Sequence, residues 1–327
     1  MVSEPLVSAI IANFNGAKHL RLCLPSLVAQ SYKSLEIIVV DNASSDESNE
    51  VTREFGARWL PLPENIGLAP ALNRGAEVAK GDLLLFLNND MRFDQQFVAA
   101  LVSPLIADDA VFAADGMQYP WEGGDPVHMA TRLAKTNPQR AGTVEMVPGL
   151  CFYQDSNQEI AEAFFASAAC MMVRKTFFQV IGGFDGRLPL GYEDAEICWR
   201  AWLHNWKVLF VPQAICWHRV GGSSRSMEAA LMNFRGIVRG RLLLSTKLLP
   251  FEYAMRTWLF SAAALLRDVG LARGRFAMAR AEVLFRTAQD IPKLLQERRN
   301  LYRKAKKTSR AQLESLLQLG KGSSSTK

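Results

Sequence analysis

Leu83-Leu-Leu-Phe-Leu-Asn-Asn-Asp90 is the stretch on which the reading of this chain turns. Five apolar residues in succession end abruptly in three polar ones. So short an apolar run, closed by a polar cluster, reads as a strand buried on both faces. Its C-terminal end then sets polar side chains at the edge of a sheet, and in open α/β sheets that edge is where ligands bind. Asn-Asn-Asp is also ordinary turn chemistry. Read as a ligand-bearing edge, it offers the hard oxygens of Asp90, which suit Mg²⁺ or Mn²⁺ arriving with a diphosphate.

The residues upstream support a parallel sheet. Leu6–Ala12 reads as a buried strand ended by Asn13-Phe-Asn-Gly16. Ala17–Ala29 carries Leu20, Leu24, Leu27 and Val28 at helical spacing. Leu35–Val40 is a second strand that stops at Asp41-Asn42, and Ser44, Ser45 and Asp46 then offer N-caps for a helix. A short strand at Arg58–Pro61, a loop at Glu64-Asn-Ile-Gly67 and a helix over Ala69–Ala79 lead back to Leu83. Strands alternating with helices at this spacing predict βαβ units of the doubly wound type. No G-x-G-x-x-G follows the first strand and no G-x-x-x-x-G-K-[ST] loop occurs, which disfavours dehydrogenases and P-loop enzymes.

Downstream, a helix near Gln95–Ile106 and a strand near Ala110–Ala114 precede a Gly-, Pro- and polar-rich stretch from Gly116 to about Asp155. It reads as a long functional loop. Its Tyr119, Trp121, His128 and Tyr153 either stack on a sugar ring or pin the loop to the core. Ala166–Val173 is a further strand, and Gly182-Gly-Phe-Asp185 a turn. Gly191-Tyr-Glu-Asp194 opens a helix over Ala195–Asn205. Glu193 and Asp194 there either complement the helix dipole or include a general base at a cleft. After a strand at Trp206–Val211 comes Cys216-Trp-His218 and a loop, Arg219-Val-Gly-Gly-Ser-Ser224, so that His218 is either structural or within reach of a site.

The 327 residues suffice for one or two domains, and 49% hydrophobic with 21% charged residues is ordinary globular composition. Five scattered cysteines, none in a C-x-x-C pair, argue against a disulfide framework or zinc site and fit a reducing cytoplasm. The N-terminus lacks the pattern of a secretory signal, and no apolar run is long enough to span a bilayer. Charge is unevenly spread. Up to His218 there are 16 Lys and Arg against 25 Asp and Glu; from Arg219 onward there are 22 against 7.

Asn13-Phe-Asn-Gly16, Val40-Asp-Asn-Ala-Ser-Ser-Asp46, Glu64-Asn-Ile-Gly67, Leu87-Asn-Asn-Asp90, Gly182-Gly-Phe-Asp185, Tyr192-Glu-Asp194 with Cys198-Trp-Arg200, and Trp217-His218 occur in that order. Together they resemble the family 2 glycosyltransferases of GT-A fold, and within them the bacterial rhamnosyltransferase-like branch that builds surface polysaccharides. The resemblance covers about the first 225 residues. It implies an α/β fold with a mixed, mostly parallel central sheet, and inverting transfer of a sugar from a nucleotide-diphospho-sugar, dTDP-rhamnose or a UDP-hexose. By similarity Asn13 and Asn15 line the nucleotide pocket, Asp41 bonds the pyrimidine, and Asn65 and Gly67 lie against the nucleoside. Asn88-Asn89-Asp90 takes the place of the metal-binding D-x-D, Asp194 matches the catalytic base with Glu193 as the alternative, and His218 lies where some members supply a further metal or diphosphate ligand. Asn88 departs from the pattern, removing one anionic metal ligand.

The expected division is therefore a GT-A catalytic domain over residues 1–225 and a basic helical region over 226–327. In the latter, Trp258–Leu266 is apolar between Arg256 and Arg267, and Arg273, Arg275, Arg280, Arg286, Lys293, Arg298 and Arg299 interleave with apolar residues. Such helices suit the plane of an anionic membrane. Packing against the catalytic domain and an oligomer contact are the alternatives. No nucleic-acid motif is visible. The expected setting is the cytoplasmic face of the cell membrane, with a lipid-linked saccharide as acceptor. A non-catalytic protein that binds sugar nucleotide, or scaffolds a polysaccharide assembly, is the rival reading.

Overall fold

The computed structural model describes residues 4–135, 143–155, 159–188, 191–219 and 227–319. β1 (Val7–Asn13), α1 (Ala17–Val28), β2 (Leu35–Asp41), α2 (Ser48–Glu54), β3 (Arg58–Pro61), α3 (Leu68–Val78) and β4 (Leu83–Asn88) alternate as expected. Strands β3, β2, β1 and β4 lie side by side and parallel. β4 is buried on both faces by strict alternation: Leu84 and Phe86 enter one core, Leu83, Leu85 and Leu87 the other. α3 closes tightly on the first of these faces, where a Cβ on Gly75 would strike Ile10 and Val40.

β5 (Met91–Phe93) follows Asp90 directly, then α4 (Phe97–Ala107) and β6 (Val111–Pro120). The stretch expected to be one long loop instead contains the end of β6 and three strands, β7 (Ala130–Ala134), β8 (Val144–Val147) and β9 (Leu150–Asp155). These form a separate antiparallel sheet in the order β7-β9-β8. Their segments are short and interrupted by Gly and Pro, so only pairing across the sheet stabilises them as strands. The chain continues through β10 (Ala161–Glu162), β11 (Cys170–Arg174), α5 (Lys175–Val180), α6 (Glu193–Leu203) and β12 (Lys207–His218). β11 runs antiparallel between β4 and β6, and β12 parallel to β6, making the central sheet mixed but mostly parallel. β12 absorbs both the Trp206–Val211 strand and Cys216-Trp-His218, passing an irregularity between Val211 and Ile215.

The C-terminal part is helical: α7 (Met227–Leu248), α8 (Phe251–Gly270), α9 (Gly274–Ala305) and α10 (Ser309–Gln318). Pro250 ends α7 and caps α8, as a residue that cannot donate in a helix interior should. These helices pack on the sheet domain. Leu244, Leu248, Leu249, Tyr253, Leu313 and Leu316 share one core with Phe86 and Trp199. The Gly/Ser loop at 220–224 and the tail at 320–327 lie outside the described residues.

Charge as well as apolar contact joins the two parts. Lys247 of α7, nearly buried, bonds Asp185 at 2.8 Å and Glu196 at 2.7 Å. Arg187 bridges Asp185 and Glu297 of α9, both at 2.6 Å, and Arg200 pairs with Glu196 at 2.6 Å. Burial alone would raise the Asp185 carboxyl, but the Arg187 hydrogen bond and the Lys247 charge hold it well below the usual carboxylate range. The Gly-Gly-Phe-Asp and Cys-Trp-Arg motifs thus meet in this network, where the Arg200 guanidinium also donates to the Ile181 and Gly183 carbonyls.

Candidate active site

Parallel strands bring their C-terminal ends to one edge, and the loops that leave them carry the polar motifs. Asn13 and Asp41 are register partners at that edge, and Asn88 pairs with Ala12. The buried Asn13 amide donates to Asp41 at 3.2 Å and to the Ser48 hydroxyl at 2.8 Å, while its carbonyl oxygen accepts from Asn89 at 2.7 Å. This crossing of amides sits where a Cβ on Gly16 would have to go, which explains the glycine that opens α1. Asn15 adopts a left-handed backbone (φ 48°) and clasps the next loop: its carbonyl oxygen accepts from Ser45 N–H at 2.8 Å. The Asn65 side chain accepts from Gly67 N–H at 3.0 Å, and Asn42 is bonded to Ile66 and Gly67.

A cavity of about 390 Å³ opens above these loops. Asn13, Asn65 and Gly67 line it, with Asn42, Phe14 and Leu68. Asp41 does not: its two oxygens bind Asn13 and Ser44 N–H, and it shapes the wall from behind. The opposite wall comes from the C-terminal helices, through Met232, Arg235, Arg239, Glu282, Val283 and Arg286. Of these, the sequence pattern singled out only Arg286, as one of the basic residues of the C-terminal helices; Arg235 and Arg239 stand at i, i+4 spacing, which does not reveal the direction in which they face.

Asp90 and His218 meet because β12 pairs with β5, setting His218 beside Met91. Their side chains stand 3.3 Å apart, and Arg219 N–H donates to the Asp90 carbonyl at 3.0 Å. His19, which the sequence reading passed over, belongs to the same neighbourhood. Burial lowers its pKa against the opposing charge of Asp90, and its Nδ1 is buried with no partner among the described residues. Among the described residues no group of three or more His, Cys, Asp or Glu is placed to hold a metal. Asp90 with His218 nevertheless fits Mg²⁺ or Mn²⁺ bound jointly with a diphosphate, since such ions take one or two protein ligands and complete their shell with phosphate oxygens and water.

Glu193 and Asp194 begin α6, one residue later than the strained Tyr192 (φ 69°). Tyr192 is clamped from the C-terminal side. Arg241 donates to its hydroxyl at 3.1 Å, that hydroxyl donates to the Met146 carbonyl at 3.2 Å, and Gly240 lies so close that a Cβ there would overlap the ring. Glu193 is buried, and its Oε2 has no partner among the described residues. Burial, reinforced by the charge of Asp194, pushes its pKa up to about 8. Asp194 is partly exposed, and loss of hydration raises its carboxyl too, against hydrogen bonds from the Ala195 and Ala168 N–H groups and the nearby His128.

The segment Ser167-Ala-Ala169 ties this pair to the sheet edge. Ala169 accepts from Asn88 N–H at 3.1 Å, Ala168 N–H reaches Asp194, and Ser167 N–H donates to Asp115 at 2.7 Å. Asp115 is fully buried, and burial pushes its carboxyl up although His128 bonds it at 2.6 Å. His128, Ser167, Trp121, His218 and Arg219 line a second cavity of about 540 Å³. So Trp121 and His128 are placed on this cavity, whereas Tyr119 packs on the Met117 cluster and Tyr153 lines a separate cavity of about 400 Å³ beside α10. Arg92 is sandwiched between Trp121 and Trp217, 5.0 and 4.7 Å from their ring centres.

Comparison with known proteins bears on the fold and the family. Among solved structures, the chain is similar to the mannosyltransferase PcManGT of Pyrobaculum calidifontis, solved with GDP-Man and Mn²⁺, at 17% identity and a TM-score of 0.56, covering 89% of this chain and 88% of that one. It is also similar to GalNAc-T7, solved with UDP, GalNAc and Mn²⁺, at 16% identity and a TM-score of 0.61, covering 89% and 58%. The architecture is thus the GT-A fold. In sequence, it is 32% identical to glycosyltransferase GlyA of Streptococcus pneumoniae over 35% of this chain, but spans 17% of that protein's length. To glycosyltransferase GlyG of the same organism it is 25% identical, over 71% of this chain and 77% of the relative. Residues 8–182, more than half of the chain, match the model of glycosyl transferase family 2, and the protein belongs to that family.

Proposed function

We propose that the protein transfers a sugar, with inversion, from a nucleotide-diphospho-sugar to a hydroxyl of a lipid-linked saccharide in bacterial surface polysaccharide synthesis. The donor is dTDP-rhamnose or a UDP-hexose. The observation that carries the proposal is Asp194, a carboxylate with a raised pKa, one backbone segment away from the Asn88-Asn89-Asp90 edge. A raised pKa makes a carboxylate a better base.

In the proposed step the acceptor oxygen attacks the anomeric carbon, the bond from that carbon to the diphosphate breaks, and the hydroxyl proton passes to Asp194. Glu193, buried behind it, keeps its proton near neutral pH, so it is the weaker candidate. Inversion needs this single base. Asn13, Asn15, Asp41, Asn65, Gly67, Asn88 and Asn89 form the nucleotide-sugar side, and the cavity bearing Trp121 and His128 takes the acceptor. A divalent ion held by Asp90 and His218 would offset the charge that develops on the leaving diphosphate. The Mn²⁺ in the complexes of both structural relatives supports this role.

The division near residue 225 is retained as part of the proposal, with the second part docking on anionic lipid at the inner face of the membrane. No described helix is long and apolar enough to cross a membrane. Phe251, Met255, Leu259, Phe260 and Leu266 of α8, and Met278 and Phe285 of α9, are exposed, with Arg256, Arg267 and Arg275 among them. Apolar side chains bordered by arginines suit an anionic interface.

Donor turnover tests the reaction. Release of nucleoside diphosphate is followed with a panel of dTDP-, UDP- and GDP-sugars, Mg²⁺ or Mn²⁺ and a membrane-lipid extract. Turnover of one donor, reduced about 10²–10⁴-fold in Asp194→Asn, is expected for loss of a general base. Donor binding without turnover under every acceptor condition would favour the non-catalytic reading.

A further inference from the structure

The cavity above the β1 and β2 loops has a wall that the family match does not reach. Its far side is built from α7 and α9, while the match ends at residue 182. Three cations, Arg235, Arg239 and Arg286, and one anion, Glu282, face the motif asparagines across it. Two of the arginines are internally satisfied: Arg235 bonds Glu282 at 3.1 Å, and Arg286 bonds it at 2.9 Å. Arg239 differs. One terminal nitrogen reaches Asp290 at 3.1 Å, but its Nε is buried with no partner among the described residues. A buried cationic N–H without an acceptor is unfavourable, and in native proteins such a group commonly marks a place where a ligand or water supplies the acceptor.

We propose that the C-terminal helices complete the donor pocket and that Arg239 donates to a ring carbonyl of the nucleobase. This rests on the nucleotide-sugar reading above and adds to it which part of the donor the helices recognise. The cavity is of ligand size, and Phe14, Leu68, Met232 and Val283 give it apolar surface for a flat base. On the nucleotide-sugar reading Asn65 and Gly67 put it at the nucleoside end, and neither Asp90 nor His218 lines it. Arginine donates and cannot accept, and the ring carbonyl oxygens of uracil, thymine and guanine are stronger acceptors for it than the ring nitrogens that adenine offers. The basic helices would then contribute to donor affinity independently of any membrane.

The test uses the full-length protein, Mn²⁺ and titration of UDP, dTDP, GDP and ADP into wild type, Arg239→Gln and Asp290→Asn, with thermal unfolding of each. Both substitutions break the α7–α9 ion pair, but only the first removes the guanidinium from the cavity wall. The expected result is that wild type binds a keto-base diphosphate in preference to ADP. Arg239→Gln should weaken that binding about ten- to hundredfold and narrow the preference, as for loss of a charged hydrogen bond. Asp290→Asn should retain both. Equal binding by wild type and Arg239→Gln would overturn the proposal, and so would equal losses in the two variants, since Arg239 would then act through helix packing. Absence of nucleotide binding in wild type would overturn the donor reading itself, an outcome distinct from these.

Discussion

Replacing Lys247 with methionine isolates the network that holds α6, and with it Asp194, against the C-terminal helices. In the native chain three cations, Lys247, Arg187 and Arg200, balance three anions, Asp185, Glu196 and Glu297. The Lys247 side chain is 8% exposed, and those of Asp185 and Glu196 are 8% and 1%. Methionine matches the aliphatic stem but leaves an excess negative charge where water cannot screen it. Removing one member of a buried ion pair costs about 3–5 kcal/mol, against total stabilities of about 5–15 kcal/mol. At about 2–4 °C per kcal/mol in large domains, the midpoint should fall by roughly 10 °C. The pH dependence has a definite sign. The depressed Asp185 contributes stability that is present above the ordinary carboxylate pKa and lost as pH falls through its lower folded value. Without Lys247, Asp185 loses part of that depression. The variant should therefore lose less stability on acidification, and the gap to wild type, constant down to the ordinary carboxylate value of 3.8, should narrow as pH falls below it. Thermal unfolding followed by circular dichroism from pH 7 to below that value measures both effects. A shift under 2 °C at pH 7, or a gap independent of pH, would refute the claim that Lys247 neutralises buried carboxylates.

Other outcomes follow from particular contacts. Glu193 has a raised folded pKa, so it favours the protonated native state; its contribution is full below its ordinary value and is lost as pH rises toward about 8. Glu193→Gln should accordingly flatten the decline in stability between pH 5 and 8 in the same unfolding experiment, and a curve parallel to wild type would contradict the burial argument. Gly240→Val should drive Tyr192 from its left-handed conformation and displace Asp194, lowering turnover at least tenfold while nucleotide affinity is kept; unchanged turnover would show that the clamp is dispensable. Leu259→Glu with Leu266→Glu, at exposed positions of α8, should abolish sedimentation with anionic liposomes at low salt without changing the unfolding midpoint. Binding that persisted in the double variant would place the contact elsewhere.

What could be read from sequence is what depends on local pattern. The apolar run at Leu83–Leu87 is a strand buried on both faces because its alternate side chains enter two cores, and a five-residue apolar stretch has few other ways to be satisfied. The polar residues that end each parallel strand fall at one edge as a consequence of βαβ winding, so Asn13, Asp41 and Asn88 were predictable neighbours. Tertiary structure alone decided the contacts between elements distant in the chain. His218 reaches Asp90 only because β12 runs past its expected end to pair with β5. Asp115 and His128 meet because the chain turns back after β6, bridging Gln118 to His128 in a stretch whose composition reads as loop. The basic third is the clearest case. Charge spacing on a helix is the same whether it faces lipid, solvent or a pocket, and only packing turned Arg239 toward the cavity that Asn13 and Asn65 line and Arg280 onto the buried Asp268, leaving Leu259 and Phe285 exposed.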